Sequence, residues 1–386
     1  MSRREHLQKL ILRRLLLYGR TTRPELVALT GCRAATVFEA IDALKASGMV
    51  VEPERRGKRT GRRAPELECC REFAYFLGVD LGRGGMIGVV TDCCGDILEA
   101  YEKRFDAPLS APEAAYAEIA RCVSELRRNI GEKWRLVRGA GLAVPEATDA
   151  ARAAGERLAG ELGVPAEVRP GRTVRTVMEY LSRLPDAPES LFFMNTGNAI
   201  EGGFMTGGKP FVGADGLEMN IGHIVADRDG EICSCGNRGC LEASAGGPAI
   251  LNMVRRMLRD GVATELTEAD LTLRRFVECA RRDKAARMIA EKVAGDIGHA
   301  LATAIALLDP ETVVIGGELA GLGELLLDAV RRVLELECFP GVVGKLKLEL
   351  SALEPEDTAR GAAIMIRDRV FGIEGPPERP VTPTRR

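Results

Sequence analysis

Three cysteines fall within eight residues, Cys233-Ser234-Cys235-Gly236-Asn237-Arg238-Gly239-Cys240, and one of only three histidines, His223, lies ten positions before the first of them. Three thiolates and one imidazole suffice to close a tetrahedron around a zinc ion, and glycines between the cysteines let the loop fold tightly enough to bring them together. Four protein ligands leave no position for water, so the expected cofactor is a structural Zn2+ rather than a catalytic one. Redox cysteines or buried thiols are the alternatives for the same residues.

The other eight cysteines include two adjacent pairs, Cys69-Cys70 and Cys93-Cys94, which suit few disulfide frameworks. The N-terminal twenty residues interrupt their apolar positions with Arg and Lys, unlike the unbroken apolar centre of a secretory signal, and no apolar run is long enough for a membrane span. These features imply a cytoplasmic protein without a membrane role. At 386 residues the chain exceeds what one core usually serves, which predicts a small domain joined to a larger, two-lobed one.

Charge separates the two. Residues 1 to 68 carry a net +7 while the remainder carries −9, so the N-terminal end is where a polyanion would bind. Leu7, Leu10, Ile11 and Leu15 recur at helical spacing, and Thr22 before Arg23-Pro24-Glu25 is a good N-cap with proline in the first turn. A second helix runs to Thr30-Gly31, and a third, with Val37, Ile41 and Leu44 on one face, closes at Gly48. A β-prone stretch, a basic Gly-rich loop and a second short strand follow, as in a wing.

In a helix-turn-helix the second helix of the motif enters the major groove and its first residues reach base edges. Here these are Arg33, Ala34, Ala35 and Thr36: Arg33 and Thr36 for phosphate or base, the alanines for close approach to thymine methyls. Arg23 is a further candidate for the DNA interface. Arg55, Arg56, Lys58, Arg59, Arg62 and Arg63 place six positive charges in nine residues, suited to a wing in the minor groove, with Arg59, Arg62 and Arg63 as the expected contacts. The alternative is a three-helix dimerisation unit with a solvated charge run. The expected partner is a double-stranded DNA operator, met by a homodimer or tetramer.

From Phe73 onward strands alternate with helices, an α/β domain. Residues 76–105 suggest a three-stranded meander and residues 191–213 a second strand-and-hairpin set; residues 285–308 form a long apolar helix leading into a buried strand, Thr312 to Gly317. No short internal repeat is visible. The segment 373–386 is Pro-rich and charged, as in a disordered tail. The domains are thus expected at 1–70, 71–372, with a lobe break near 185, and the tail.

Several motifs resemble the ROK family of repressors and sugar kinases. In the N-terminal segment they are Arg23-Pro24-Glu25-Leu26, Thr30-Gly31, Ala35-Thr36-Val37, Leu44 to Gly48 and Gly61-Arg62-Arg63-Ala64-Pro65. Gly222-His223, the cysteine cluster and Glu242 resemble the family's G-H and C-x-C-G-x-x-G-C-x-E signature. The resemblance implies a winged helix-turn-helix followed by a bilobal actin-like ATPase (ribonuclease H-like) sugar-kinase fold. It also implies that His223 and Glu242, with Asn220, face an effector such as a sugar.

The kinase motifs are only partly retained. The family's D-x-G-x-T reads Asp80-Leu81-Gly82-Arg83-Gly84, its second glycine loop reads Gly197-Asn198-Ala199-Ile200-Glu201-Gly202-Gly203, and Ile315-Gly316-Gly317-Glu318 matches its I-G-G. Asp80, Gly82, Gly197, Gly316 and Gly317 are therefore expected as vestiges of a nucleotide site, without bound ATP. The base that should accept the hydroxyl proton aligns with Gly171, the family's E-I-G-H reads Asn220-Ile221-Gly222-His223, and the sugar-contacting loop after Val144-Pro145 is nearly absent. The reading that follows is a regulator, expected to repress, with no catalytic residue. Its effector would be a sugar or, given Arg169 and Arg172, an anionic derivative. A sugar kinase with an appended DNA-binding domain and a ligand-independent DNA-binding protein are the alternatives.

Overall fold

The structure is a computed structural model that describes residues 3–53, 64–82, 84–105, 111–213, 219–373 and 375. The expected wing contacts Arg59, Arg62 and Arg63, and most of the expected tail, lie outside the described residues. The chain divides into two compact units, Met1–Ala187 with Glu354–Arg386, and Pro188–Leu353.

The first unit begins with α1 (Arg3–Tyr18), β1 (Thr21–Thr22), α2 (Arg23–Thr30), α3 (Ala34–Ala46), β2 (Val50–Val51) and β3 (Glu66–Cys69). Leu7, Ile11 and Leu15 of α1 are buried with Leu26, Val37, Ile41 and Leu44, the apolar stripes that spacing alone marks out. A reciprocal cap starts α2: the Thr22 hydroxyl accepts from the Glu25 amide at 3.4 Å, and the Glu25 carboxylate accepts from the Thr22 amide at 2.7 Å. The strands form an antiparallel sheet in the order β1-β3-β2, the base of a wing.

The chain continues through β4 (Tyr75–Leu81), β5 (Gly85–Thr91), β6 (Ile97–Arg104), α4 (Pro112–Ile130), β7 (Val137–Val144), α5 (Asp149–Leu162), β8 (Ala166–Pro170) and α6 (Gly171–Leu181). The meander β4–β6 is antiparallel, whereas β7 and β8 add in parallel, giving the order β6-β5-β4-β7-β8.

The second unit contains β9 (Ser190–Thr196), β10 (Ile200–Thr206), β11 (Lys209–Pro210), α7 (Leu241–Ala245), α8 (Gly247–Arg259), α9 (Leu273–Ala280), α10 (Lys284–Leu308), β12 (Thr312–Gly317), α11 (Glu324–Glu337) and β13 (Lys347–Leu350). Its sheet runs β11-β10-β9-β12-β13, the same arrangement of an antiparallel meander extended by two parallel strands. The molecule therefore contains one sheet plan twice, although the sequence shows no repeat. The core of this unit is built on α10, whose Ala290, Val293, Ala294, Ile297 and Leu301 are all buried.

Helix α12 (Asp357–Phe371) returns to the first unit and lies across β4 and β7. Its approach requires glycine beneath it: a Cβ on Gly78 would stand 1.9 Å from the Ala359 carbonyl oxygen, and one on Gly141 2.1 Å from that of Ala362. Among the described residues no helix is long and apolar enough to cross a membrane.

Candidate metal centre and nucleic-acid interface

His223 ends a 3-10 turn, Ile221–His223, and the chain then forms a knuckle held by backbone pairing. Val225 bridges Cys240 and Ile232 bridges Arg238, while the Cys233 amide donates to the Asn237 carbonyl at 2.7 Å. Gly239, with φ of +76°, passes so close to Asp227 that a Cβ would stand 1.6 Å from its carbonyl oxygen. Cys240 then precedes α7 directly.

This folding gathers the side chains expected to bind metal. Ligand atoms of His223, Cys233, Cys235 and Cys240 all lie within 4.8 Å of one another. The Cys233 sulfur is 3.6 Å from His223 Nδ1, and the Cys235 and Cys240 sulfurs are 3.6 Å apart. A disulfide would need about 2.05 Å, whereas the edges of a tetrahedron built on metal–ligand bonds of about 2.0–2.3 Å measure about 3.5–3.8 Å. The four groups fit a metal ion. Cys233 and Cys240 are buried, and His223 and Cys235 are exposed. Burial pushes the Cys240 thiol up to about 12, while the Asn237 backbone amide pulls Cys235 below the ordinary thiol range. An ion would overcome that disparity by stabilising both thiolates.

Of the expected effector residues, Asn220 is exposed beside the His223 turn. Glu242, on α7, accepts a hydrogen bond from the Ile200 amide at 3.2 Å, which ties the knuckle's helix to β10. The glycines expected as vestiges of a nucleotide site divide between the units. Gly316 and Gly317 end β12 in register with Asn195 and Thr196, immediately before Gly197. Asp80 and Gly82 lie at the end of β4 in the first unit. Burial raises the pKa of Glu318, and its carboxylate lies 3.6 Å from where a Gly197 Cβ would be.

At the expected position of the catalytic base, Gly171 is buried at the first turn of α6, and a Cβ there would meet the Arg175 guanidinium at 3.2 Å. Glu167, the neighbouring carboxylate on β8, is buried and paired with Arg169 and, at 3.5 Å, Arg369. Neither position offers a free carboxylate. The connection from β7 to α5 is only Pro145 to Thr148, which confirms the absence of a long loop there.

In the helix-turn-helix, Arg33, Ala34, Ala35 and Thr36 are all exposed at the start of α3, and no side chain caps that end. Its uncapped amides and the helix dipole make a ready anion site. Arg23 differs in its surroundings from the other three kinds of expected contact. Its guanidinium is 2.8 Å from Asp42, 3.6 Å from Glu52 and 5.2 Å from the centre of the Phe38 ring. It fastens α2 to α3. Sequence spacing marks both helices but does not reveal this clamp, because its partners lie 15 to 29 residues away.

Comparison with known proteins places these features in context. Residues 76–369 match the ROK family. The chain is 23% identical over 375 residues to the DNA-binding transcriptional dual regulator NagC of Escherichia coli, covering 92% of this chain and 91% of that protein. A glucokinase of Thermotoga maritima is 34% identical, but over 191 residues that cover 46% of this chain and 58% of the enzyme. The crystal structure of a ROK family transcriptional regulator, a homologue of the E. coli MLC protein, superposes with a TM-score of 0.79 at 20% identity, covering 95% of this chain and 98% of that one. The fold is shared over that 95% of the chain.

Proposed function

The chain belongs to the ROK family, and from that premise we propose that it is a DNA-binding transcriptional regulator whose kinase-like domain senses or assembles and does not phosphorylate. The observation that carries this reading is the first turn of α3, where Arg33, Ala34, Ala35 and Thr36 stand exposed at an uncapped helix end within a winged helix-turn-helix. Arg33 and the turn's amides hold phosphate, and the alanines let the helix settle into the major groove. A dimer presents two such helices to successive grooves, which turns weak half-sites into one strong operator. Repression by occupying a promoter fits the repressors among its relatives, including an N-acetylglucosamine repressor of E. coli.

A donor set of three thiolates and one imidazole favours zinc, and His223, Cys233, Cys235 and Cys240 would hold it. Bound there, zinc supplies a fixed fold for the knuckle and no reaction chemistry. The knuckle in turn positions Glu242 against β10 and presents Asn220 and His223 for a small-molecule effector, a sugar or an anionic derivative of one. Loss of phosphorylation rests on Gly171, on the pairing of Glu167 and on the short β7–α5 connection.

The test is a footprint of the purified protein on the region upstream of its own gene, repeated with candidate metabolites and with ATP. Protection of a two-fold symmetric site is the expected result; no protected site, together with ATP turnover on any sugar, would establish the kinase reading instead. Arg33→Ala should weaken binding roughly equally at all duplex sequences and lower the salt dependence by about one counterion.

A further inference from the structure

We propose that Glu39 and Phe38 select bases within the operator: Glu39 accepts a hydrogen bond from a cytosine amino group, and Phe38 covers the methyl of a thymine. The inference rests on the DNA-binding reading and goes beyond the first-turn contacts. Helix α3 buries Val37, Ala40, Ile41 and Leu44. Its opposite strip, at spacings of three and four, presents Ala35, Phe38, Glu39 and Asp42, all exposed.

These four differ in what holds them. Asp42 and Phe38 are both engaged by Arg23, at 2.8 Å to the carboxylate and 5.2 Å to the ring centre, so the ring is braced and the Asp42 charge is neutralised. Glu39 has no ion pair or hydrogen bond among the described residues. A bare carboxylate carried into a groove walled by phosphates is repelled unless it meets a donor. The donors on major-groove edges are the amino groups of cytosine and adenine, while guanine and thymine present acceptors in the corresponding places. Adenine sets its N7 acceptor beside the amino group, which repels a second carboxylate oxygen, so cytosine is the better partner. Phe38, one residue earlier on the same strip, offers apolar surface of the kind that packs on a thymine methyl. The braced ring pays little ordering entropy when it docks.

The experiment is selection of binding sites by the full-length protein from a randomised duplex pool, run in parallel for wild type, Glu39→Gln, Glu39→Ala and Phe38→Ala. Wild type should enrich a site with a cytosine whose replacement lowers affinity about tenfold or more. Glu39→Gln should shift that position toward adenine, because an amide can bond N6 and N7 together, and Glu39→Ala should flatten it. Phe38→Ala should flatten a thymine position, and replacing that thymine by uracil should weaken wild type but not the variant. Variants that enrich the wild-type site with unchanged preference at every position would overturn this inference while leaving the regulator reading intact. Wild type that retains duplex without enriching any sequence would overturn both.

Discussion

The knuckle of the second unit and the start of α6 in the first contrast under the proposed function: one gathers a complete set of candidate donors and the other has no acid where the base is expected. At the knuckle all four candidate metal-binding side chains are gathered, the backbone is cross-bridged, and Gly239 leaves no room for a side chain. At the start of α6 the position where a base is expected is Gly171, and a Cβ there would meet the Arg175 guanidinium at 3.2 Å. A metal site that holds a loop is useful whether or not phosphoryl transfer occurs, because four donors and a fixed backbone stabilise the fold by themselves. A general base is useful only when a substrate hydroxyl is presented to it. The two kinds of site can therefore separate.

The largest expected effect is at the knuckle. Cys240→Ser or removal of metal by a strong chelator should destabilise the second unit by several kcal/mol, lowering its Tm by on the order of 10 °C. Calorimetry with metal analysis checks this, and a metal-free protein that melts unchanged would break the comparison at its stronger side. Next comes Glu167→Gln, expected to cost about 1–2 kcal/mol because a buried acceptor shared by Arg169 and Arg369 is weakened; denaturant melts read it. Such a loss would sharpen the contrast by showing that the remaining carboxylate near α6 serves the fold.

Gly171→Asp should cost about 1 kcal/mol, since its Cβ would meet the Arg175 guanidinium at 3.2 Å and that flexible side chain must give way. It should also produce no ATP turnover across a sugar panel in a coupled assay. Measurable turnover would mean that the site is one residue from activity, and the contrast would shrink to a single substitution. The smallest effect concerns Glu318, whose folded pKa is raised by burial. For a carboxyl shifted in that direction, its contribution to stability is fully present below the unfolded pKa and declines as pH rises through the folded value. Glu318→Gln should therefore match wild type in acid and exceed it slightly at neutral pH in parallel melts. An identical pH profile for the two would show that the strand-end glycine region tolerates a charge after all.

Local features were the most legible. The Thr22–Glu25 cap, the buried stripe of α3, the hairpins and the grouping of His223 with the three cysteines all follow from spacing, because each interaction lies within one or two turns or within a short loop. The Arg23 clamp was not legible. Its residue type and position suggested the DNA interface, and only the packing of α2 on α3 brought Asp42, Glu52 and Phe38 around it. Glu39 and Phe38 were missed for a related reason: neither is a typical DNA-binding residue, and their significance depends on the face of α3 that burial leaves open. The hidden signal was the gap in the apolar periodicity, where Phe38 falls off the buried stripe.

The sequence alone determined the helices of the winged segment, the donor set of the candidate metal centre and the absence of an acid at position 171, since these depend on residue identity and short-range geometry. Tertiary structure alone decided that the two sheets share the order of a meander plus two parallel strands. It also decided that α12 crosses back to cover the first sheet, where Gly78 and Gly141 admit the carbonyls of Ala359 and Ala362. Strand order and helix docking join residues tens to hundreds of positions apart. Such contacts arise from shared burial and backbone complementarity, which leave no period in the chain to read.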